Sequence, residues 1–237
     1  MAAGSKTILH STTVPVPPVT ISVPSLVLPW GYRRYFVWAQ IVIAFLFLEF
    51  ALWTGNMAAR NRWVTIAAIT IILLALADRP SLDRLGLRLP TTLGAGLVIM
   101  VSLGMAASMV GMVTWAGGDI PANPTWPNLH LAWQYLVWAL VQEFILQSFF
   151  FTRCEELFGS QAAVWISATL FAAVHLPSPI LTTFTLIAAL FFCEMFRRYR
   201  SIYTIGMVHG LLGLTVSLTM PDSLLHHMRV GIGYLNY

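Results

Sequence analysis

Seven long apolar segments run through this chain, and they restrict its fold more than any other feature of the sequence. Most approach the roughly 20 residues that a helix needs to cross a bilayer. Because backbone polar groups inside lipid must be paired within the protein, such segments form helices. The sequence therefore predicts an all-α fold, a polytopic transmembrane helix bundle of about seven spans. These spans are approximately Tyr35–Thr54, Trp63–Ala77, Thr92–Ala116, Leu129–Thr152, Ala162–His175, Ile180–Phe196 and Ser201–Met220.

The second and fifth predicted spans are shorter than the others. Pro177 and Pro179 separate the fifth span from the sixth. Helices that stop part-way across a membrane are tolerated where their ends line a cavity. We therefore expect these two segments to be part-way helices beside an internal cavity.

Composition indicates which partners the chain has. It is 58% hydrophobic and 9% charged, whereas soluble domains carry about a quarter charged residues. No basic run with interleaved aromatic residues occurs, so we predict contact with the lipid bilayer and none with nucleic acid. The cysteines Cys154 and Cys193 form neither a CxxC motif nor a disulfide framework. No cofactor is predicted.

Positive charge predicts the orientation in the membrane. With the N-terminus inside, only Arg60, Arg62 and Arg229 of the 13 Lys and Arg residues fall outside. This split favours a cytoplasmic N-terminus under the positive-inside rule. The loop from Gly117 to Asn128 carries no positive charge and is expected to be an external turn. A compact chain without organelle-targeting signals favours a bacterial plasma membrane. The ten residues on the inside are Lys6, Arg33, Arg34, Arg79, Arg84, Arg88, Arg153, Arg197, Arg198 and Arg200.

Three parts are expected along the chain. Residues 1–29, rich in Ser, Thr, Val and Pro, form an irregular N-terminal tail that lacks the features of a signal peptide. Residues 30–220 form the transmembrane helical domain, and residues 221–237 form a C-terminal tail. That tail carries His226, His227 and Arg229, and it is too short to span. It is expected either to fold back over a cavity mouth or to lie at the membrane interface.

Acids and histidines inside the spans are the candidate functional residues, since such groups are costly in lipid. Glu49 lies near the outer end of its span, and Glu194 precedes a cluster of arginines with which it is expected to pair. Glu143, His175 and His209 differ, because three helices carry them roughly 12–20 Å from the cytoplasmic ends at about 1.5 Å per residue. We expect these three to converge on one site.

Such a cluster suits three kinds of chemistry. A His and a Glu can activate water for attack on a carbonyl while a second His stabilises the oxyanion. Two His and one Glu can also hold a divalent metal such as zinc with an open position, although the chain contains no HExxH motif. A proton relay is the third alternative.

Three motifs in this region resemble the CPBP family of glutamic-type intramembrane proteases, named for CAAX proteases and bacteriocin-processing enzymes and also called Abi. "QEFILQSFFFTRCEELFG", Gln142 to Gly159, aligns with the family's EExxxR run, and Arg153 lies where a basic residue often follows. "FAAVH", Phe171 to His175, matches FxxxH, and "HGLLG", His209 to Gly213, matches HxxxN at its histidine. The resemblance covers about residues 129–220, which would be a protease-like core.

The resemblance implies a role for each motif position. In the family, the first glutamate and the FxxxH histidine activate water, the last histidine and the asparagine hold the oxyanion, and the arginine supports the glutamates. Here His175 and His209 are kept, whereas Gln142 replaces the first glutamate, Gln147 the arginine and Gly213 the asparagine. The candidate catalytic residues are therefore Glu143, His175, His209 and Gln142, with Gln147 and Gly213 as altered motif positions.

The replacements bear directly on activity. A glutamine cannot act as a general base, while the paired loss of a negative and a positive charge leaves no stranded partner. Glu143 follows Gln142 and points about 100° away around an α-helix. It is expected either to replace the missing base or to be a structural acid, paired with a histidine or protonated.

Three functions follow, in order of preference. The first is an intramembrane endopeptidase that cleaves a membrane-associated or lipid-modified peptide or protein, as in CAAX-box processing or bacteriocin maturation or immunity. The alternative is a catalytically inactive relative that binds a membrane peptide or lipid. A proton-coupled transporter is the third, although the chain lacks visible paired repeats.

Overall fold

The computed structural model describes residues 30–117 and 129–236, so the predicted tail at residues 1–29 and nearly all of the predicted external turn lie outside the described residues. The described chain is helical throughout, apart from short connections and one isolated antiparallel bridge between Leu87 and Ser201. Its helices are α1 (Trp30–Leu52), α2 (Met57–Ala77), α3 (Thr92–Trp115), α4 (Leu129–Glu143), a π-helical segment (Phe144–Phe151), α5 (Thr152–Phe158), α6 (Ser160–Ala173), α7 (Pro179–Tyr199), α8 (Tyr203–Thr219), α9 (Asp222–Leu225), a 3₁₀ turn (His226–Met228) and α10 (Ile232–Leu235).

Within those ranges, five helical stretches are long and apolar enough to cross a membrane, and α6 and α8 are shorter apolar helices. The fourth stretch runs continuously from α4 through the π-helical segment into α5. The protein is a multi-pass integral membrane protein, and the predicted all-α bundle of about seven spans is confirmed.

The second predicted span is longer than the sequence suggested. Helix α2 has 21 residues and begins at Met57, where Asn56 caps it by accepting a hydrogen bond from the backbone N–H of Ala59 at 3.1 Å. The prediction of a part-way second helix is wrong, because the first turns of α2 contain Arg60 and Arg62, which interrupt the apolar pattern. The fifth span, α6, is short as predicted, with 14 residues.

Helices α4 and α8 pack closely through small residues. A Cβ added at Gly210 would lie 2.6 Å from Cδ2 and 3.3 Å from Cα of Leu136. Gly206, one turn earlier on α8, faces Leu140 in the same way. Helices in membranes commonly approach through such positions. This contact fixes the motif histidine on α8 opposite the motif segment on α4.

One end of the bundle carries a network of ion pairs. Glu156 accepts hydrogen bonds from Arg33 Nε at 2.5 Å and from Arg84 Nη2 at 2.6 Å. Arg153 is 2% exposed and contacts Asp78 at 3.1 Å and Gln40 Oε1 at 2.8 Å. The network joins α1, α2, the α2–α3 connection and α5, and its arginines all belong to the set assigned to one side by the charge count.

Glu194 forms the ion pair expected from the sequence. Its carboxylate contacts Arg197 Nε at 2.7 Å and Arg198 Nε at 2.5 Å, in the last turns of α7. Glu194 is therefore accounted for as an acid at the charged end of the bundle.

The described part of the C-terminal tail folds back onto the bundle. The backbone N–H of Gly231 donates to the carbonyl oxygen of Leu176 at 2.8 Å, and the ring of His226 stacks on Tyr234 with centroids 4.1 Å apart. Met228 and Val230 reach the central cavity. Of the two alternatives for this tail, the structure shows the fold back over a cavity.

Candidate active site

A cavity of about 600 Å³ lies between α3, α4, α7 and α8, with Met228 and Val230 closing part of it. This volume is typical of a ligand site, and most of its lining is apolar, which suits an apolar ligand with a few polar groups to orient it. The side chains of Gln142, His175 and His209 line it, as does the backbone at Gly213. Four of the six motif positions therefore meet around one space.

Gln142 and Glu143 point in different directions. Tyr135, Trp138 and Gln142 follow the i, i+3, i+7 spacing of one helix face and all line the cavity. Glu143, one residue further, is 0% exposed and is not part of the lining. Among the described residues, no carboxylate lines the cavity, because the family position that faces it carries glutamine.

Glu143 pairs with a histidine, one of the two states expected for a structural acid. Its Oε1 lies 2.8 Å from His209 Nδ1, and its Oε2 accepts a hydrogen bond from Gln147 Nε2 at 3.1 Å. An ionised carboxylate can only accept hydrogen bonds, so an ionised Glu143 requires that Nδ1 of His209 carry the proton. Gln147 thus keeps the i+4 contact that the family arginine would make. The pairing leaves Nε2 as the ring nitrogen of His209 available to the cavity.

Two aromatic rings hold His209 in place. Phe192 of α7 stacks on the imidazole at 6.0 Å between centroids, and Phe171 of α6 contacts it edge-on at 5.7 Å. Together with Glu143, these contacts restrain the imidazole by its nitrogen, its face and its edge. The ring is therefore preorganised.

His175 is oriented by its own helix. It follows the C-terminal end of α6, and its Nδ1 lies 2.7 Å from the carbonyl oxygen of Phe171. A carbonyl oxygen only accepts, so Nδ1 donates and the lone pair of the neutral ring is on Nε2. The Phe171 ring also contacts the imidazole at 4.8 Å. Phe171 therefore positions both histidines, a role that the FxxxH spacing alone did not reveal.

Gly213 has a tyrosine against its α-carbon. A Cβ added there would lie 2.8 Å from both Cε1 and Cζ of Tyr135 and closer still to the phenolic hydroxyl. Tyr135 therefore takes the space of a residue-213 side chain. Sequence reasoning missed Tyr135, and the only available signal was its spacing of seven residues before Gln142.

A second chamber of about 140 Å³ adjoins the same residues. It is lined mainly by apolar side chains of α1, α2, α4, α6 and the π-helical segment. Gln142 and His175 line both chambers, together with Trp138, Phe171 and Val230. These polar groups are thus accessible from two apolar spaces of different size.

The geometry gives no support to the metal alternative. Within residues 30–117 and 129–236, no group of three or more His, Cys, Asp and Glu side chains is placed to hold a metal ion. Both oxygens of Glu143 and the Nδ1 atom of His209 are already engaged with protein partners.

A comparison with protein-family models finds a family that part of this chain resembles. Residues 124–215 match the model described as type II CAAX prenyl endopeptidase Rce1-like. This region is therefore similar to the CPBP family. The match contains all six motif positions, from Gln142 to Gly213, and it confirms the resemblance deduced from the motifs. Neither the search of curated proteins nor the search of solved structures finds a match to the chain.

Proposed function

We propose that this protein is an intramembrane endopeptidase of the CAAX-protease type that hydrolyses a peptide bond of a membrane-associated, lipid-modified substrate. One observation carries the proposal: the two motif histidines of the CPBP-like region line one cavity, and a buried carboxylate fixes one of them at 2.8 Å. Structural histidines in an apolar bundle have no need to share a cavity or to present free nitrogens to it.

His175 is the general base in this proposal. Its Nε2 removes a proton from water as the water oxygen attacks the scissile carbonyl carbon and the carbonyl π electrons move to oxygen. The tetrahedral intermediate then collapses, the C–N bond breaks, and His175 returns the proton to the departing amine nitrogen. Gln142 cannot take a proton, but its amide can hold the attacking water beside His175.

His209 stabilises the negative oxygen of the intermediate. In the proposed active state it is an imidazolium paired with the Glu143 carboxylate, and its Nε2–H points into the cavity. A positive charge held in a dry site favours the developing oxyanion more than it would in water. Glu143 then acts through His209 and is a positioning residue.

The cavity suits a substrate with a long apolar group. Its lining is mostly apolar, and the larger chamber has the volume of a typical ligand site. The family description names prenyl endopeptidases, which favours a prenylated CAAX-type peptide over a bacteriocin-related one. The prenyl chain would occupy the larger chamber, and an aliphatic side chain next to the scissile bond would occupy the smaller.

The test is cleavage of a fluorogenic peptide that carries an S-farnesyl cysteine followed by three residues. With protein purified in detergent, the wild type is expected to cleave it, while His175→Ala and His209→Ala lower kcat by about 10²–10⁴-fold, the usual range for acid–base and oxyanion groups. Wild-type rates in both variants would show that the catalytic assignment is wrong.

A second function has one observation in its favour. Because Gln142 faces the cavity, the carboxylate base of the family is missing from it, which suits a relative that binds a membrane peptide or lipid without cutting it. The variant Gln142→Glu separates the two functions. Activity that appears only in Gln142→Glu would favour the binding protein, whereas wild-type cleavage that this variant raises would favour the peptidase.

We also propose a bacterial plasma membrane. The N-terminus is proposed to lie in the cytoplasm, and the arginines gathered at one end of the bundle support this orientation. A membrane-impermeant maleimide is expected to label Arg62→Cys on intact cells, and Arg84→Cys only after the cells are opened. The reverse pattern would invert the orientation.

A further inference from the structure

The phenol of Tyr135 is a polar group in the cavity to which neither the motifs nor the proposed mechanism assigns a role. Tyr135 lies on the cavity face of α4, two turns before Gln142. Its ring end lies directly over Gly213 of α8, where any side chain would collide with it. The ring end of Tyr135 therefore occupies space on α8 that is open only because residue 213 carries no side chain.

The contact with Gly213 places the hydroxyl about one helical turn beyond His209 along α8. Gly213 follows His209 by four residues, which is about 6 Å along the axis of α8 and nearly the same helix face. Both groups line the cavity. The imidazole of His209 comes from α8, and the phenol of Tyr135 comes from α4 and lies against α8 one turn further along.

We propose that the Tyr135 hydroxyl is the second hydrogen-bond donor to the oxyanion, beside His209, so that Tyr135 is a catalytic residue. The inference rests on the proposed hydrolysis. A phenol O–H is an effective donor in such a site, because a preorganised donor in a water-poor cavity loses little energy to reorganisation. Tyrosine also has only two main side-chain torsions, and contact with Gly213 restrains both.

Tyr135 and Gly213 together then supply the hydrogen-bond donor that a polar side chain at position 213 would otherwise supply. A donor group that projected from position 213 itself would occupy the space that now holds the phenol oxygen. This chain supplies the donor from α4 instead and leaves α8 bare at that point. The two positions are consequently linked. Removing the Tyr135 side chain alone should lower kcat, whereas removing it and adding a donor side chain at position 213 should restore part of the lost activity.

Tyr135→Phe removes the hydroxyl and keeps the ring against Gly213. With the farnesylated fluorogenic peptide, we expect kcat to fall about 10²–10³-fold, the loss typical of one oxyanion donor, while KM stays nearly unchanged. Tyr203→Phe is the matched control, since Tyr203 lies at the first turn of α8 outside the cavity. It should cleave at the wild-type rate.

A swap tests the linkage. The kcat of Tyr135→Ala should be as low as that of Tyr135→Phe. The double variant Tyr135→Ala with Gly213→Asn should have a kcat at least tenfold higher than that of Tyr135→Ala alone. An unchanged kcat in Tyr135→Phe, a change in KM alone, or a swap variant no more active than Tyr135→Ala would overturn the inference while leaving the hydrolysis intact. Absence of wild-type cleavage would instead overturn the proposed hydrolysis, and the role of Tyr135 with it.

Discussion

The substitution Glu143→Gln separates the charge of the buried carboxylate from its hydrogen bonds. The new amide oxygen can still accept from His209 Nδ1, which now lies 2.8 Å from Glu143 Oε1. The new amide nitrogen would face Gln147 Nε2, so the Gln147 amide must turn over and present its oxygen. That oxygen has no hydrogen-bond partner among the described residues, so the turn breaks no hydrogen bond that this oxygen makes.

Stability should therefore change little, whereas activity should fall. With the number of hydrogen bonds preserved, the free energy of unfolding should fall by about 1 kcal/mol or less. A hydrogen bond to a charged group contributes about 1.5–3 kcal/mol and one between neutral groups about 0.5–1.5 kcal/mol, so the proposed His209 imidazolium would lose about 1–1.5 kcal/mol of stabilisation. At about 1.4 kcal/mol per factor of ten, kcat should fall roughly 5- to 12-fold.

The assay compares kcat on the farnesylated peptide with the thermal unfolding midpoint of each variant in the same detergent. Glu49→Gln is the matched control, because Glu49 is a glutamate of α1 that bonds Trp53 and does not line the cavity. Glu143→Leu should lower the midpoint further, since it leaves two buried donors unpaired at about 1–3 kcal/mol each. A Glu143→Gln variant with wild-type kcat, or one as unstable as Glu143→Leu, would refute the reasoning.

Three further predictions concern the scaffold. Arg153→Met should lower the unfolding midpoint by the equivalent of about 1–3 kcal/mol, because it leaves partners such as Asp78 without their buried cation; a midpoint equal to that of the wild type would contradict this. Gly231→Ala should detach the C-terminal tail, since residue 231 has φ +58° and an added Cβ would lie 2.8 Å from the carbonyl carbon of Leu52; limited proteolysis after residue 220 should then be faster than in wild type. Gly210→Leu should separate α4 from α8 and abolish cleavage, and full activity in this variant would show that their close approach is dispensable.

Much of the fold could be predicted from the sequence because lipid permits few structures. Apolar length set most helices to within a few residues, and Pro179 marked the start of α7. The start of α2 was misplaced because Arg60 and Arg62 lie inside its first turns. Hydropathy counts such residues as loop, although long cationic side chains at a helix end can extend toward water.

The candidate site could be predicted only in part. The convergence of His175 and His209 followed from their similar depth in separate spans, and the alternative that Glu143 pairs with a histidine followed from the altered motif. The role of Tyr135 could not be found, because it depends on how closely α4 approaches α8, which is a property of two helices together. Catalytic roles stay predictions until the variants are assayed.

The π-helical segment between α4 and α5 has a consequence for any comparison that assigns helix faces from sequence. A π-helix makes i→i+5 hydrogen bonds, so each residue advances by a smaller angle than in an α-helix. A helical wheel drawn with one constant angle from Leu129 to Phe158 would therefore rotate every residue after Phe151 onto a wrong face. The fourth span therefore needs two separate helical wheels. The first places Gln142 of α4 toward the cavity, and the second places Arg153 of α5 toward the ion pairs. Helix faces on the two sides of the segment can be compared only if its eight residues are counted at the smaller π-helical angle.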